Sequence, residues 1–207
     1  MILAKFLRAI AQVLLFGFLP FVTYTIMYKR IKGFFKYLGL IMPVKKTIYI
    51  SIVVAIVGII NGTVFAVFCP EVRELMTMQG TVAGNLKSAG MSCNTIITLI
   101  IIAFIQTSLS EEILFRGFIA KRLIALLGYS AGNLIQAIVF ALTHVLLLLG
   151  IAEPDYPFLV FVFFFSGTMG YLLGYVKEKV GNGSIIPGWI AHGLANSVSF
   201  YLVAFVI

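Results

Sequence analysis

Five side chains of the sequence carry the acid, base and amide groups that hydrolytic enzymes use, and each lies in an apolar stretch of chain. They are Glu111, Glu112, His144, His192 and Asn196. Carboxylate and imidazole groups can activate water as general bases, and neutral imidazole and amide groups can donate hydrogen bonds to an oxyanion. The set predicts acid–base hydrolysis if the fold brings its members together.

The spacing of these residues predicts which of them share a helix face. Glu112 and Arg116 are four residues apart, as are His192 and Asn196, so each pair lies on one side of a helix. Glu111 is rotated by about 100° from Glu112, because an α-helix has about 3.6 residues per turn. We therefore expect Arg116 to form a structural ion pair with Glu112, while Glu111 faces a substrate.

The composition excludes a soluble globular domain. Of the 207 residues, 61% are hydrophobic and 11% are charged, and the mean hydropathy is +1.11. The net charge of +8 comes from basic residues in short runs between apolar segments, a pattern that does not favour nucleic acid as a partner. We interpret the chain as an integral membrane protein whose first apolar segment is a retained span and not a targeting peptide.

Six apolar segments approach or exceed the roughly 20 residues that a helix needs to cross a bilayer. They are residues 6–28, 47–68, 95–117, 133–150, 157–176 and 185–206. Residues 118–127 are expected to form a short amphipathic piece at the membrane interface. The small residues Gly167, Gly170 and Gly174 lie near one face of the fifth span and predict close helix packing. The predicted fold class is all-α, a single bundle of about six transmembrane helices with a buried polar cavity.

Ionisable residues occur deep inside only three of these spans, the third, fourth and sixth. Such a residue at membrane depth costs about 2.5–3.5 kcal/mol, so it normally faces a cavity and acts there. At about 1.5 Å per residue, Glu111 lies about 9 Å and His192 about 10 Å from the basic side of the membrane. His144 lies about 17 Å from that side, so helix tilt or a later helix start must absorb the difference. A structural role explains any one of these residues, whereas the whole set favours a functional site.

Basic loops predict the orientation in the membrane. The loop 29–46, the pair Lys121 and Arg122, and residues 177–179 lie on one side, which the positive-inside rule places in the cytoplasm of a cell membrane. The opposite side carries a mixture of charges and both termini. These charges are Glu71, Arg73, Glu74, Lys87, Glu153 and Asp155. Lys5 and Arg8 oppose this assignment, because they lie near the outer end of the first span.

The two cysteines, Cys69 and Cys93, fall at the outer surface, where adjacent antiparallel helices could bring them together. Disulfide formation depends on the compartment, so we interpret both as free thiols and keep the disulfide as an alternative.

Three motifs in this part of the chain resemble those of the CPBP family of membrane proteins, which includes CAAX prenyl endopeptidases and bacterial bacteriocin-processing and immunity proteins. The first is two glutamates with an arginine four residues after the second, Glu111-Glu112-Ile113-Leu114-Phe115-Arg116. The second is Phe140 four residues before His144, and the third is His192 four residues before Asn196. Ser184 and Pro187 match the segment that leads into the third motif. The resemblance covers about residues 111–196.

The resemblance implies an intramembrane peptidase that hydrolyses a peptide bond of a membrane-associated protein or peptide. In it, Glu111 and His144 activate a water, and His192 and Asn196 hold the oxyanion. The single transmembrane domain 1–207 then consists of two spans and an outer loop, 1–94, and a catalytic core, 95–207. No cofactor is favoured; the alternative is zinc bound by Glu111, His144 and His192, because this donor set suits that metal.

Two other classes of function stay open at this stage. The main alternative is a membrane adaptor or bacteriocin-immunity protein of the same family that no longer cleaves anything. A small transporter is the third interpretation, because buried Glu and His residues also form proton relays. In each case the lipid bilayer is a partner.

Overall fold

The computed structural model describes residues 2–151, 154 and 156–207, and within them the chain is helical and contains no β-strand. Six long helices are joined by loops and three short helices. The long helices are α1 (Ile2–Tyr28), α3 (Lys45–Phe68), α6 (Cys93–Leu127), α7 (Tyr129–Leu149), α8 (Tyr156–Val180) and α9 (Ile186–Phe205). The short helices are α2 (Phe34–Leu38), α4 (Pro70–Thr77) and α5 (Val82–Ala89). The predicted all-α fold with about six long helices is confirmed.

Five of the six long helices are apolar and long enough to cross a membrane, as judged within the described ranges of the chain. The exception, α9, has 20 residues and carries the polar side chains of His192 and Asn196. Its surroundings are protein, because it packs against α3 and α6. By contrast, only 6% of the most apolar window of α1 is buried inside the bundle.

Helix α6 is longer than the third predicted span. Residues 118–127, expected as a short amphipathic piece at the interface, continue the same helix to Leu127, and their position at the interface stays a prediction. The basic end of the helix is held by α2, because Lys121 Nζ donates to the Tyr37 carbonyl at 2.6 Å. Arg122 lies over the Tyr37 ring at 4.6 Å. These contacts hold the last turns of α6 against α2, and the helix continues to Leu127 without a break.

The longer helix also resolves the height of His144. Helices α6 and α7 form a hairpin in which Leu127 is followed closely by Tyr129. Glu111 lies 16 residues before the end of α6, or about 24 Å, and His144 lies 15 residues after the start of α7, or about 22 Å. The two side chains are therefore level, and the expected mismatch arose from ending the third span too early.

Two stretches of α6, Ile101–Leu109 and Glu112–Ala120, have π-helical hydrogen bonding, in which each N–H reaches the carbonyl five residues earlier. Ser110 and Glu111 lie between the two stretches. Such wide turns are often found at functional sites, because they redirect side chains relative to a regular α-helix.

The small residues of α8 allow close contact with α7, as predicted. A Cβ atom built at Gly170 would lie 3.2 Å from the Phe140 ring and 3.5 Å from Arg116 Nη2. A side chain at this position would therefore crowd both the aromatic ring and the guanidinium. The glycine face is a packing surface that lets α7 and Arg116 approach the α8 backbone.

The start of α9 is tied to the loop that follows α2. Ser184 is fully buried, and its hydroxyl donates to the Ile41 carbonyl at 2.6 Å. The Ile185 N–H donates to the Gly39 carbonyl at 2.9 Å. Pro187 lies in the first turn of α9, where its missing N–H costs no intrahelical bond. Ser184 and Pro187 thus fix where α9 begins.

The two ends of the bundle differ in charge as the sequence indicates. The end formed by α2 and the last turns of α6 and α8 carries the basic loops. Glu153 and Asp155, which were assigned to the opposite side, lie outside the described residues. Both cysteines are free. The cytoplasmic location of the basic end stays a prediction.

Candidate active site

The neighbouring residues Glu111 and Glu112 occupy different environments. The side chain of Glu112 is completely buried, whereas 16% of the Glu111 side chain is exposed. Glu112 Oε1 lies 3.3 Å from Arg116 Nη1, and both of these side chains are fully buried. The two carboxylates point in different directions because consecutive helical residues are far apart around the axis. Glu112 is held in a buried ion pair, while Glu111 faces open space.

Phe140 positions both the ion pair and His144. The Arg116 guanidinium lies over the Phe140 ring at 4.1 Å, a cation–π contact that partly compensates for its burial. The ring is packed edge-on against Phe115 at 4.9 Å. Its backbone carbonyl lies 2.9 Å from His144 Nδ1. Phe140, four residues before His144, therefore provides both the aromatic face for Arg116 and the hydrogen-bond acceptor for His144.

The hydrogen bond from His144 to Phe140 determines its tautomer. A carbonyl oxygen can only accept, so Nδ1 of His144 carries the hydrogen. In the neutral ring, Nε2 then presents a lone pair. This atom lies 3.9 Å from Glu111 Oε2. The separation is too long for a direct hydrogen bond. Nε2 of His144 and Oε2 of Glu111 therefore both remain available as acceptors.

His192 lies between the two glutamates. Its Nδ1 is 3.5 Å from Glu112 Oε1, and its Nε2 is 3.7 Å from Glu111 Oε2. The Glu111 oxygen is buried and has no hydrogen-bond partner among the described residues, although two imidazole nitrogens face it. The Glu111 carboxylate thus lies close to both imidazole rings but is not hydrogen-bonded to either.

Asn196 reaches the site from one turn beyond His192. Its Nδ2 donates to Thr107 Oγ1 at 3.1 Å and to Ser108 Oγ at 3.4 Å. Both hydroxyls donate in turn to the Ala103 carbonyl, so they act as acceptors toward the amide. The amide is therefore oriented from α6, and the contact to Ser108 is the weaker of the two.

Two cavities meet at Glu111 and His144. The inner cavity, about 310 Å³ in volume, is lined by Glu111, His144, His192, Asn196 and apolar residues of α3, α8 and α9. The second, which we term the lateral groove, has a volume of about 660 Å³ and is lined by Glu111, His144 and apolar residues of α1, α6 and α7. Leu15 and Leu147 line this groove and are 68% and 63% exposed, so it opens at the outer surface of the bundle.

The donor set Glu111, His144 and His192 suits zinc chemically, because carboxylate oxygen and imidazole nitrogen are common ligands of that ion. Within the described residues, however, no group of three or more His, Cys, Asp or Glu side chains has the spacing of a metal site. The side chains as placed do not form a metal ligand set.

Several residues that support the site were missing from the sequence interpretation. Thr107 and Ser108 orient Asn196. Gly188 allows Glu112 to approach α9, because a Cβ there would lie 2.6 Å from Glu112 Oε2. The small polar residues Thr107, Ser108 and Ser110 shortly before the glutamates, within an apolar helix, were a signal for the first group. Nothing in the sequence pattern distinguishes Gly188 from the other glycines.

The comparisons with known proteins agree with these observations. The family described as "Type II CAAX prenyl endopeptidase Rce1-like" matches residues 93–198, which is just over half of the chain. This segment contains all of the residues that surround the two cavities at Glu111, except those contributed by α1, α3, α4 and the last turns of α9. No curated protein and no solved structure matches. The match bears out the resemblance read from the three motifs, and the chain belongs to the Rce1-like type II CAAX prenyl endopeptidase family.

Proposed function

We propose that this protein is an intramembrane endopeptidase that hydrolyses a peptide bond of a membrane-associated protein or peptide, with a water activated by Glu111 and His144. The observation that carries the proposal is the position of Glu111 Oε2, which lies 3.9 Å and 3.7 Å from the Nε2 atoms of His144 and His192. Glu111 lines both cavities, which provides separate approaches to this residue for substrate and water.

The first step is activation of the water. A water between Glu111 and His144 donates one hydrogen to the carboxylate and the other to Nε2, since both groups are acceptors. Its lone pair is then free to attack the carbonyl carbon of the scissile bond. As the C–O bond forms, one proton passes to Glu111, and the carbonyl oxygen becomes an oxyanion.

The second step is stabilisation and collapse of the tetrahedral intermediate. His192 with hydrogens on both nitrogens donates from Nδ1 to Glu112 and from Nε2 toward the oxyanion. With Glu111 protonated, the charges of Glu112, Arg116, His192 and the oxyanion sum to zero, which favours this state in a site of low polarity. Asn196 adds a second donor through the hydrogen that contacts Ser108 more weakly. Collapse breaks the C–N bond, and the proton held by Glu111 passes to the leaving amine.

The lateral groove supports a membrane-associated substrate. Its walls are mostly apolar, and α1, which forms one side, is largely outside the protein interior. A substrate with an apolar anchor can therefore approach Glu111 from the lipid without crossing water. The family name specifies prenylated CAAX proteins as substrates of its members, and we adopt a prenylated peptide as the first probe.

The proposal is tested by cleavage of an internally quenched, prenylated CAAX peptide by the purified protein in proteoliposomes. Glu111→Gln and His144→Ala are each expected to lower kcat by a factor of about 10² to 10⁴, because the first removes the base that takes the proton and the second removes an acceptor for the attacking water. Glu71→Gln, the same change at an exposed carboxylate of α4, is the matched control and should cleave like the wild type.

Cleavage by Glu111→Gln at the wild-type rate would exclude Glu111 as the base. If the wild type cleaves nothing, a comparison of membrane peptides from cells with wild-type or Glu111→Gln protein provides the second test. Identical peptides together with full biological effect of Glu111→Gln would favour the non-cleaving adaptor.

A further inference from the structure

Two cations, Lys5 and Arg8, lie at the end of the bundle opposite the basic loops. They are three residues apart on α1, so their side chains lie on neighbouring parts of one helix face. The positive-inside rule does not account for them, because they oppose the orientation that all other basic loops favour. The presence of these two cations therefore needs an explanation other than the orientation of the chain in the membrane.

Both side chains line a cavity of about 220 Å³ between α1, α5 and the first half of α6. The polar residues that share its wall are Asn85, Thr95, Thr98 and Gln106. Among the residues that the structure describes, its lining contains two cationic side chains and no acidic one. The cavity is therefore positively charged and selects for an anion.

Thr95 and Gln106 already have hydrogen-bond partners in Ser92 and Gln12, whereas other donors of this cavity have none among the described residues. Neither Lys5 nor Arg8 forms an ion pair with a carboxylate in the described part of the chain. Thr98 is only 8% exposed, and its buried Oγ1 has no hydrogen-bond partner there. A buried hydroxyl without a partner is destabilising, so it indicates a ligand that accepts its hydrogen. Asn85 accepts from the Gly80 N–H through Oδ1, which leaves its amide hydrogens for the same ligand.

The location of the cavity favours a lipid headgroup over a soluble anion. Helix α6 has 35 residues and is about 52 Å long, whereas the hydrocarbon core of a bilayer is about 30 Å thick. Its first turns, which carry Thr95 and Thr98, therefore lie near headgroup level. Apolar residues of the same wall, Val82 and Ile102 among them, can contact the first carbons of an acyl chain.

We propose that this cavity binds the phosphate group of an anionic phospholipid. Lys5 and Arg8 neutralise the phosphate, and Asn85 and Thr98 donate hydrogen bonds to its oxygens. The site lies on a different set of residues from the peptidase site, and it holds whether or not the chain cleaves peptides.

Native mass spectrometry of the full-length protein, titrated with phosphatidylglycerol, phosphatidylcholine or inorganic phosphate, tests the proposal. We expect one phosphatidylglycerol to be retained in preference to phosphatidylcholine. A cation near the membrane surface contributes roughly a five-fold factor to affinity, so the double variant Lys5→Gln/Arg8→Gln should bind roughly 30-fold more weakly. The matched control Lys45→Gln/Lys46→Gln removes two exposed cations from the other end and should bind like the wild type.

Equal affinity of the Lys5→Gln/Arg8→Gln variant and the wild type would overturn the proposal, as would equal retention of the two lipids. Inorganic phosphate that binds as tightly as phosphatidylglycerol would overturn the lipid assignment and indicate a soluble anion.

Thr98→Val provides a second measurement that does not depend on charge. This change removes a buried hydroxyl that lacks a partner, so the lipid-free protein should be at least as stable as the wild type while its affinity for phosphatidylglycerol falls several-fold. Lower stability with unchanged lipid affinity would show a structural role for the hydroxyl and overturn the site.

Discussion

Two sides of the site differ although adjacent residues form them. The closed side consists of Glu112, Arg116 and Phe140, and the carboxylate and guanidinium in it are fully buried. The open side consists of Glu111, His144 and His192, whose side chains are 16%, 31% and 12% exposed. On the closed side every charge has a fixed partner. On the open side the polar atoms face one another across distances that suit a small molecule better than a direct bond.

The difference shows how a membrane protein can carry two carboxylates with separate roles. A buried carboxylate must be paired, because an isolated charge in an apolar interior is strongly unfavourable. Arg116 meets that requirement for Glu112 by a direct ion pair, and the rotation between neighbouring residues places Glu111 outside ion-pair distance of it. The closed side therefore contributes to the integrity of the fold, and the open side is available for chemistry.

The largest effect on this comparison is expected from Glu112→Gln. Removing one partner of a buried ion pair leaves the other charge uncompensated and typically costs about 3–5 kcal/mol. Glu112→Gln should therefore lower the free energy of unfolding in mixed micelles by this amount, whereas Glu111→Gln should change it by less than about 1 kcal/mol. Unfolding is followed by circular dichroism during titration with a denaturing detergent.

A double-mutant cycle with Arg116→Met provides the control for this prediction. The double variant Glu112→Gln/Arg116→Met should lose less stability than the two single variants together, because it removes both charges. Equal stability of Glu112→Gln and the wild type would contradict the distinction between the two sides.

The closed side was the more predictable of the two from sequence. The spacing of Glu112 and Arg116 and the apolar run around them are local properties, so they indicate a helical pair before any fold is known. The number of long helices was also predictable, because apolar length is a direct signal of a membrane span. The contact between the Arg116 guanidinium and Phe140 depends on the packing of α6 against α7, and spacing alone does not reveal it.

The open side depended on features that the sequence does not display. The predicted third span ends at residue 117, whereas α6 ends at Leu127. The charges of Lys121 and Arg122 indicated a membrane interface, but both side chains contact Tyr37. The π-helical turns around Glu111 also have no clear sequence signal. The partners of Asn196 come from a helix some 90 positions earlier, and only the tertiary structure brings them together.

A smaller effect is expected from Asn196→Ala, which tests whether the open side extends to this amide. Loss of one oxyanion donor typically lowers kcat by a factor of about 10² to 10³. KM for the prenylated peptide should change little, because the donor acts mainly after the attack begins. Both constants are measured in proteoliposomes.

Ser197→Ala is the matched control for Asn196→Ala. It removes a buried polar group from the next position of α9, but among the described residues the Ser197 hydroxyl bonds only to the Gly193 carbonyl of the same helix. A fall in stability of Asn196→Ala with unchanged kcat would assign Asn196 to the packing of α9 against α6.

Removal of metal ions is expected to leave kcat unchanged. This result would support an open side that works without a metal. A zinc ion on the open side would need lone pairs on the Nε2 atoms of both His144 and His192. The proposed mechanism instead needs a hydrogen on Nε2 of His192 for donation to the oxyanion, while the hydrogen on Nδ1 faces Glu112 Oε1 at 3.5 Å. Protein washed with a chelator should therefore keep its kcat and contain far less than one zinc per chain by elemental analysis. Stoichiometric zinc that tracks activity would mean that the open side rearranges into a ligand set, and only the closed side would retain the role assigned to it.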